Sequence, residues 1–126
     1  MNREQLKDRL HILALGDVIS KPACEVTIKA FDHLLTELKT EDLEQSEMLF
    51  THLPSAITRI GEGETLEGPS SEIMKEVRNS NYYPTAENHI KNIEHIWGHT
   101  LPEEEKAFLS MHYTTIIEAN QGGDKR

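Results

Sequence analysis

The 126-residue sequence lacks several features that mark particular classes of protein. It has one cysteine, Cys24, so no disulfide can form within the chain, and a lone thiol is typical of a reducing compartment. No apolar stretch approaches the roughly 20 residues that a membrane-spanning helix needs. The start of the chain, MNREQLKDRL, has no apolar segment of a signal peptide. We therefore expect a cytoplasmic protein with no membrane partner.

Basic residues are scarce as well. Thirteen Lys and Arg stand against 22 Asp and Glu, giving a formal charge of −9 with neutral histidines. Such a chain repels phosphate backbones, so direct binding of RNA or DNA is not expected. The phosphate-binding and nucleophile motifs of common enzymes are also missing from the sequence. The sequence thus predicts no nucleic-acid binding, no enzymatic activity and no cofactor.

Apolar residues recur at three- and four-residue steps almost everywhere, and no stretch alternates at period two. The cleanest amphipathic pattern runs from Ala23 to Leu38, with Ser20 as the predicted cap and Pro22 in the first turn. The pattern predicts an all-α protein, a compact bundle of five to six helices with short connections. We assign 1–19 to an N-terminal helix or extension, 20–120 to the helical domain and 121–126 to a disordered tail.

Two further helices have predicted start signals. One is expected to begin after Thr40 and to contain Pro54, which should distort it because proline lacks the backbone donor. The last is expected to begin with a capping box formed by Thr100 and Glu103. Gly98 is predicted to end the helix before it.

Two histidines stand at helical spacing from apolar residues. His52 lies three residues after Leu49, and His112 lies three residues after Leu109. Imidazole changes charge near neutral pH, and its neutral form is nucleophilic, so both side chains are candidates to accept a phosphoryl group. The alternative is a pair of half-buried histidines with structural roles, and spacing alone favours that alternative.

One charged residue shares a predicted helix face with each histidine. Arg59 lies seven residues after His52, and Glu105 lies seven residues before His112. Arg59 could bring positive charge towards a phosphate, or it could form an ordinary surface ion pair. Glu105 could orient or stabilise a neighbouring group.

Other reactive side chains have weaker patterns. His95 and His99 are four apart, as in a two-histidine metal half-site, but Ile96 replaces the glutamate of the H-E-x-x-H motif. We expect a solvated surface there and no metal. Cys24 is expected in a first helical turn, where its pKa would be lowered. Without a partner thiol it is expected to serve in packing.

Taken together, several fragments resemble one family in order and spacing. They are His52-Leu-Pro-Ser-Ala-Ile-Thr-Arg59, then Gly68-Pro69 with Glu72-Ile73, and then the segment from Gly98 to His112. This series resembles the PTS regulation domain, or PRD, found in regulators governed by the bacterial phosphoenolpyruvate:sugar phosphotransferase system. The interval of 60 positions between residues 52 and 112 also fits that family.

The resemblance implies a five-helix bundle, often dimeric, with two histidines that receive phosphoryl groups. By matching motif, His52 and His112 become the phosphorylation sites, with Arg59 and Glu105 as supporting residues. The implied donors are the phosphocarrier HPr or a sugar-specific EIIB component. The implied assemblies are a homodimer or a complex with another PRD regulator.

The sequence departs from the family in one respect. PRDs usually occur in pairs beside an RNA-binding or helix-turn-helix domain, whereas these 126 residues accommodate a single PRD. The expected function is therefore that of a stand-alone regulatory domain, which modulates a partner or its own dimerisation. The alternative is a constitutive helical dimerisation or scaffold protein whose histidines are not phosphorylated.

Overall fold

The structure, a computed structural model, describes residues 1–64 and 67–121. These residues form six helices and no named strand, which confirms the all-α prediction. The helices are α1 (Arg3–Leu15), α2 (Lys21–Leu38), α3 (Glu47–Gly61), α4 (Ser71–Arg78), α5 (Tyr83–Trp97) and α6 (Glu103–Gln121). The predicted disordered tail was 121–126; Gln121 is instead the last residue of α6, and 122–126 lie outside the described residues. In the described ranges, every helix is too short or too polar to cross a bilayer.

Side-chain caps fix the first two helices. The side chain of Asn2 accepts the backbone N–H of Gln5, whose own side chain accepts the backbone N–H of Asn2, both at 2.9 Å. Ser20 accepts the N–H of Ala23 at 3.2 Å, and Pro22 lies in the first turn of α2, as predicted. These short-range contacts satisfy N–H groups that a helix start leaves without partners.

The predicted start of the third helix was wrong, because the chain before it pairs with the N-terminus. The ammonium of Met1 donates to the carbonyl of Leu43 at 2.6 Å, and the N–H of Leu43 returns to the carbonyl of Met1 at 2.9 Å. This pairing holds the segment outside a helix, and α3 begins at Glu47 instead of after Thr40. From there α3 continues through Pro54 to Gly61.

The predicted capping box of the last helix is also absent. Helix α6 begins at Glu103, after Thr100 and Leu101. The N–H of Leu101 donates to the carboxylate of Glu94 at 2.7 Å, and the Leu101 side chain is buried. This tertiary contact ties the residues before α6 to α5.

The core lies around α2, which packs against α1, α3, α5 and α6. It is mostly aliphatic, with Phe31 and Phe50 in edge-to-face contact at its centre (centroids 4.9 Å apart). Helix α1 contributes Leu6 and Leu10 to the same core. Helix α3 also packs against α6, and this contact positions the site described below.

A polar cluster lies within the core where α2, α5 and α6 meet. His89, only 1% exposed, has its Nε2 3.1 Å from Glu37 Oε1, and its ring lies against His33 and Tyr113. Asn92 and His33 are 3.2 Å apart at their side-chain nitrogens. Burial lowers the pKa of His89, with His33 adding to the shift and Glu37 opposing it. His89 is therefore an interior residue of the bundle.

Gly98 ends α5 in the left-handed conformation (φ 83°), which penalises any side chain. We expect Gly98→Ala to lower the free energy of unfolding by about 1–2 kcal/mol. Gly61→Ala is the matched control, because Gly61 is not left-handed and an added Cβ meets no atom within 4 Å. The control should be neutral or stabilising by up to about 1 kcal/mol. Urea unfolding measures both, and equal stability of the two variants would contradict the assignment.

His89 should make the fold sensitive to acid. Its pKa is lowered in the folded state, so the unfolded chain takes up a proton first as the pH falls through about 6.5. The free energy of unfolding should therefore be greatest above that pH and decline between about pH 7 and pH 5. His89→Gln keeps an N–H for Glu37 but cannot titrate, so its decline should be shallower. Exposed His11→Gln is the control and should keep the wild-type slope, which urea unfolding across this range measures.

Candidate functional site

The two helices that carry the predicted histidines meet at a buried carboxylate. Nε2 of His52, on α3, lies 2.8 and 3.1 Å from the two carboxylate oxygens of Glu105, on α6. Glu105 is only 1% exposed and lies in the first turn of α6, where the helix dipole favours negative charge. The sequence placed Glu105 on the helix face of His112, but its hydrogen bond goes to His52.

The ring of Phe108 lies close to both candidate histidines. Its centroid is 4.0 Å from that of His52 and 4.5 Å from that of His112. The two imidazole centroids are therefore at most about 8.5 Å apart (4.0 plus 4.5 Å). We call His52, Glu105, Phe108 and His112 the histidine site.

Sequence reasoning gave Phe108 no part in a site. The spacing of four residues between Phe108 and His112 was a visible signal, because residues four apart on a helix are neighbours. The second contact, to His52, crosses from α6 to α3. No spacing within one helix could have predicted it.

The electrostatic surroundings of the two histidines differ. His112 has its pKa lowered by burial first and by the nearby His52 second, so it is neutral at neutral pH. In the described part of the chain it has no hydrogen-bond partner, whereas His52 has Glu105. One imidazole is therefore held by a carboxylate and the other is free.

The site is reachable from solvent. His52 and His112 are both partly exposed. Among the described residues, the side-chain nitrogen and oxygen atoms that are both inaccessible to solvent and without a hydrogen bond belong to His89 and Tyr113. The unbonded nitrogens of His52 and His112 therefore keep contact with water. Met48, which is 66% exposed, lies one turn before His52 on the same face of α3 and adds apolar surface beside the site.

The structure also has a cleft that does not include the two candidate histidines. A cleft of about 320 Å³ lies between α4, α5 and α6, where Arg78, Lys91 and Lys106 contribute to its lining. Neither His52 nor His112 lines it. The histidine site is thus a separate, open surface.

Arg59 contacts a different partner. Its Nε lies 3.2 Å from Glu64, and both side chains are 50% exposed. This is the ordinary surface ion pair that the sequence left open as one interpretation. The supporting role of Arg59 at a phosphate stays a prediction.

The remaining reactive residues do not assemble into a site. His95 and His99 are exposed, and α5 ends before His99. No group of three or more His, Cys, Asp or Glu in residues 1–64 and 67–121 is placed to hold a metal ion. Cys24 packs against the core, and burial followed by the charge of Glu25 raises its pKa, so the expected lowering was wrong.

The sequence matches the family model described as PRD domain over residues 21–115. This span includes α2 to α5, most of α6 and all four residues of the histidine site, whereas α1 precedes it. No curated protein and no solved structure matches the chain significantly. Because the family match covers most of the chain and agrees with the resemblance inferred from its motifs, the chain belongs to the PRD domain family.

Proposed function

We propose that this chain is a stand-alone regulatory domain of the sugar phosphotransferase system, controlled by phosphorylation of His52 and His112. The observation that carries the proposal is the placement of both imidazoles on one open surface, each with a nitrogen free of partners and accessible to water. The domain acts in the cytoplasm as a regulator and not as an enzyme.

The proposed donors are the phosphocarrier HPr or a sugar-specific EIIB component. An open surface with apolar side chains beside the histidines suits a docking protein, and Met48 and Phe108 supply such side chains. Arg59 stands two turns beyond His52 on α3 and is the proposed cation beside an incoming phosphoryl group. Its ion pair with Glu64 is half exposed and therefore weak, so water can replace Glu64 as the partner of the guanidinium.

The proposed response is a change in association. A phosphoryl group brings about −1.5 to −2 charges to a half-buried surface that already holds the carboxylate of Glu105. Like charges at this range are poorly screened, since the Debye length is about 8 Å at physiological salt. Repulsion and desolvation would then alter packing on this surface. The outcome would be a change in homodimer affinity or in binding to another PRD regulator.

Phosphorylation itself is the first test. With enzyme I, HPr, phosphoenolpyruvate and a cognate EIIB, the protein should acquire acid-labile phosphate, and a His52→Gln/His112→Gln double variant should not. Glutamine at position 52 keeps a donor for buried Glu105, whereas alanine would leave that carboxylate unpaired at a cost of about 3–5 kcal/mol. Radiolabel retained at alkaline pH and lost in acid measures the modification.

The matched control for this test is His11→Gln, which alters an exposed histidine on α1 and should label like the wild type. Circular dichroism should show the same helix content in all variants. A double variant that labels as strongly as the wild type would place the acceptors elsewhere. Absence of label with every donor would refute the proposed function.

The alternative is a constitutive dimerisation or scaffold protein with inert histidines. It is favoured by one observation: Ile12, Leu15 and Val18, near the end of α1, are 69, 74 and 53% exposed. Such a protein would take no label, and its mass in solution would be unaffected by the histidine substitutions. Sedimentation before and after incubation with the phosphoryl donors separates the two functions, since the proposed regulator changes its association on labelling.

The short distance between the histidines predicts that phosphorylation of one opposes phosphorylation of the other. The imidazole centroids lie at most about 8.5 Å apart (4.0 plus 4.5 Å), and two phosphoryl groups at that separation would repel by on the order of 1–2 kcal/mol in bulk water and by more at a protein surface. Intact-mass measurement at saturating donor should therefore show mostly singly labelled chains. The doubly labelled fraction should fall about tenfold or more below that expected for independent sites. His52→Gln and His112→Gln alone should each still take one label, and mostly double label in the wild type would contradict the prediction.

A further inference from the structure

We propose that His52 accepts the phosphoryl group on Nδ1, and that Glu105 directs it there by holding the ring proton on Nε2. The product at this position is then 1-phosphohistidine. This inference rests on the proposed function, and it adds the reacting atom and a positioning residue.

The contact at Nε2 carries the first step. Both oxygens of Glu105 lie within 3.1 Å of this nitrogen, and no other hydrogen bond reaches the carboxylate from the described residues. The carboxylate is 1% exposed, and burying an ionised carboxylate is costly unless it accepts a hydrogen bond. A proton on Nε2 supplies that bond. A bare lone pair there would instead face the lone pairs of the carboxylate.

The second step concerns the other ring nitrogen. A neutral imidazole carries one proton, so the proton on Nε2 leaves the lone pair on Nδ1. Nδ1 of His52 has no hydrogen-bond partner in the described residues, and it is not among the atoms that are inaccessible to solvent. The His52 side chain is 26% exposed, so a donor can approach this side of the ring. Nε2, in contrast, is covered by the carboxylate.

The transfer balances without a further reactant. The lone pair of Nδ1 attacks the phosphorus of the phosphorylated donor protein, and a bond forms between Nδ1 and phosphorus. The bond from phosphorus to the donor's carrier atom breaks, and that atom keeps the electron pair and takes a proton from solvent where its chemistry requires one. His52 becomes a phosphoimidazolium that retains its proton on Nε2. Glu105 stabilises the new positive charge through a charge-assisted hydrogen bond.

His112 supplies an internal comparison. Neither of its ring nitrogens has a partner in the part of the chain that the structure describes. Nothing observed there fixes the tautomer, so the selectivity is a property of position 52 alone. Glu105 is accordingly a positioning residue, which acts through the imidazole of His52.

The isomer of phosphohistidine tests the inference directly. We would label the His112→Gln variant with enzyme I, HPr, phosphoenolpyruvate and EIIB, quench it in alkali, and separate 1- from 3-phosphohistidine after hydrolysis. Label that appears in the His112→Gln variant but not in the His52→Gln/His112→Gln double variant is assigned to His52. We expect 1-phosphohistidine to exceed 3-phosphohistidine at this position by about tenfold or more, as a charge-assisted hydrogen bond allows. A majority of 3-phosphohistidine would overturn the inference and leave the proposed function intact.

Substitution of the carboxylate provides the control. In Glu105→Gln the amide can donate to Nε2, which releases the proton to Nδ1, so labelling of His52 should slow by about tenfold and lose its isomer preference. Glu104→Gln, next along the chain and exposed, should keep both the rate and the isomer. A purely structural role for Glu105 would reduce the amount of label without changing its isomer. An unchanged preference in Glu105→Gln would therefore overturn the assignment of Glu105.

The tautomer can be measured without phosphorylation. Nitrogen-15 spectra of the histidine rings should place the proton of neutral His52 on Nε2. The signals of His52 are identified by their disappearance in the His52→Gln variant. A proton on Nδ1 would overturn the inference whatever the labelling shows. Absence of label with every donor would refute the proposed function and remove the transfer step with it.

Discussion

The contact between His52 and the buried carboxylate of Glu105 is the interaction on which the histidine site depends. It joins α3 to α6, and it satisfies an ionisable group that is 1% exposed. Because a buried charge without a partner is expensive, removing the imidazole would leave the carboxylate without its hydrogen bond. The same contact brings Phe108 against the ring of His52, since Phe108 lies one turn after Glu105 on α6.

This arrangement makes two chemically similar residues different. His52 has a fixed partner at one nitrogen, whereas His112 has no bonded partner in the described residues and is kept neutral by burial. Of the two rings, only that of His52 is held in one orientation by a hydrogen bond. Its ring is in place before any donor arrives, and orienting a reacting group in advance lowers the entropic cost of the reaction.

The sequence predicted what depends on neighbours along the chain. Ser20 and Gly98 mark helix ends because cap chemistry is local, and both were placed correctly. The start of α3 could not be predicted, because it depends on pairing between Met1 and Leu43, residues far apart in the sequence. The partners of His89 and Glu105 were missed for the same reason. Periodicity reports which face of a helix is buried, but not which side chain lies opposite.

The charge of the whole chain cannot explain a response to one phosphoryl group. The chain already carries −9 with neutral histidines, and exposed charges separated by more than a Debye length of about 8 Å are largely screened from one another. The groups that would sense the new charge are those within reach of the ring, namely Glu105 at 2.8 Å and the second imidazole at most about 8.5 Å away (4.0 plus 4.5 Å). Under the proposed function, a change in association would therefore start at this surface, where the ring of Phe108 lies close to both imidazoles. A partner that binds there would read the phosphorylation state through local charge and desolvation.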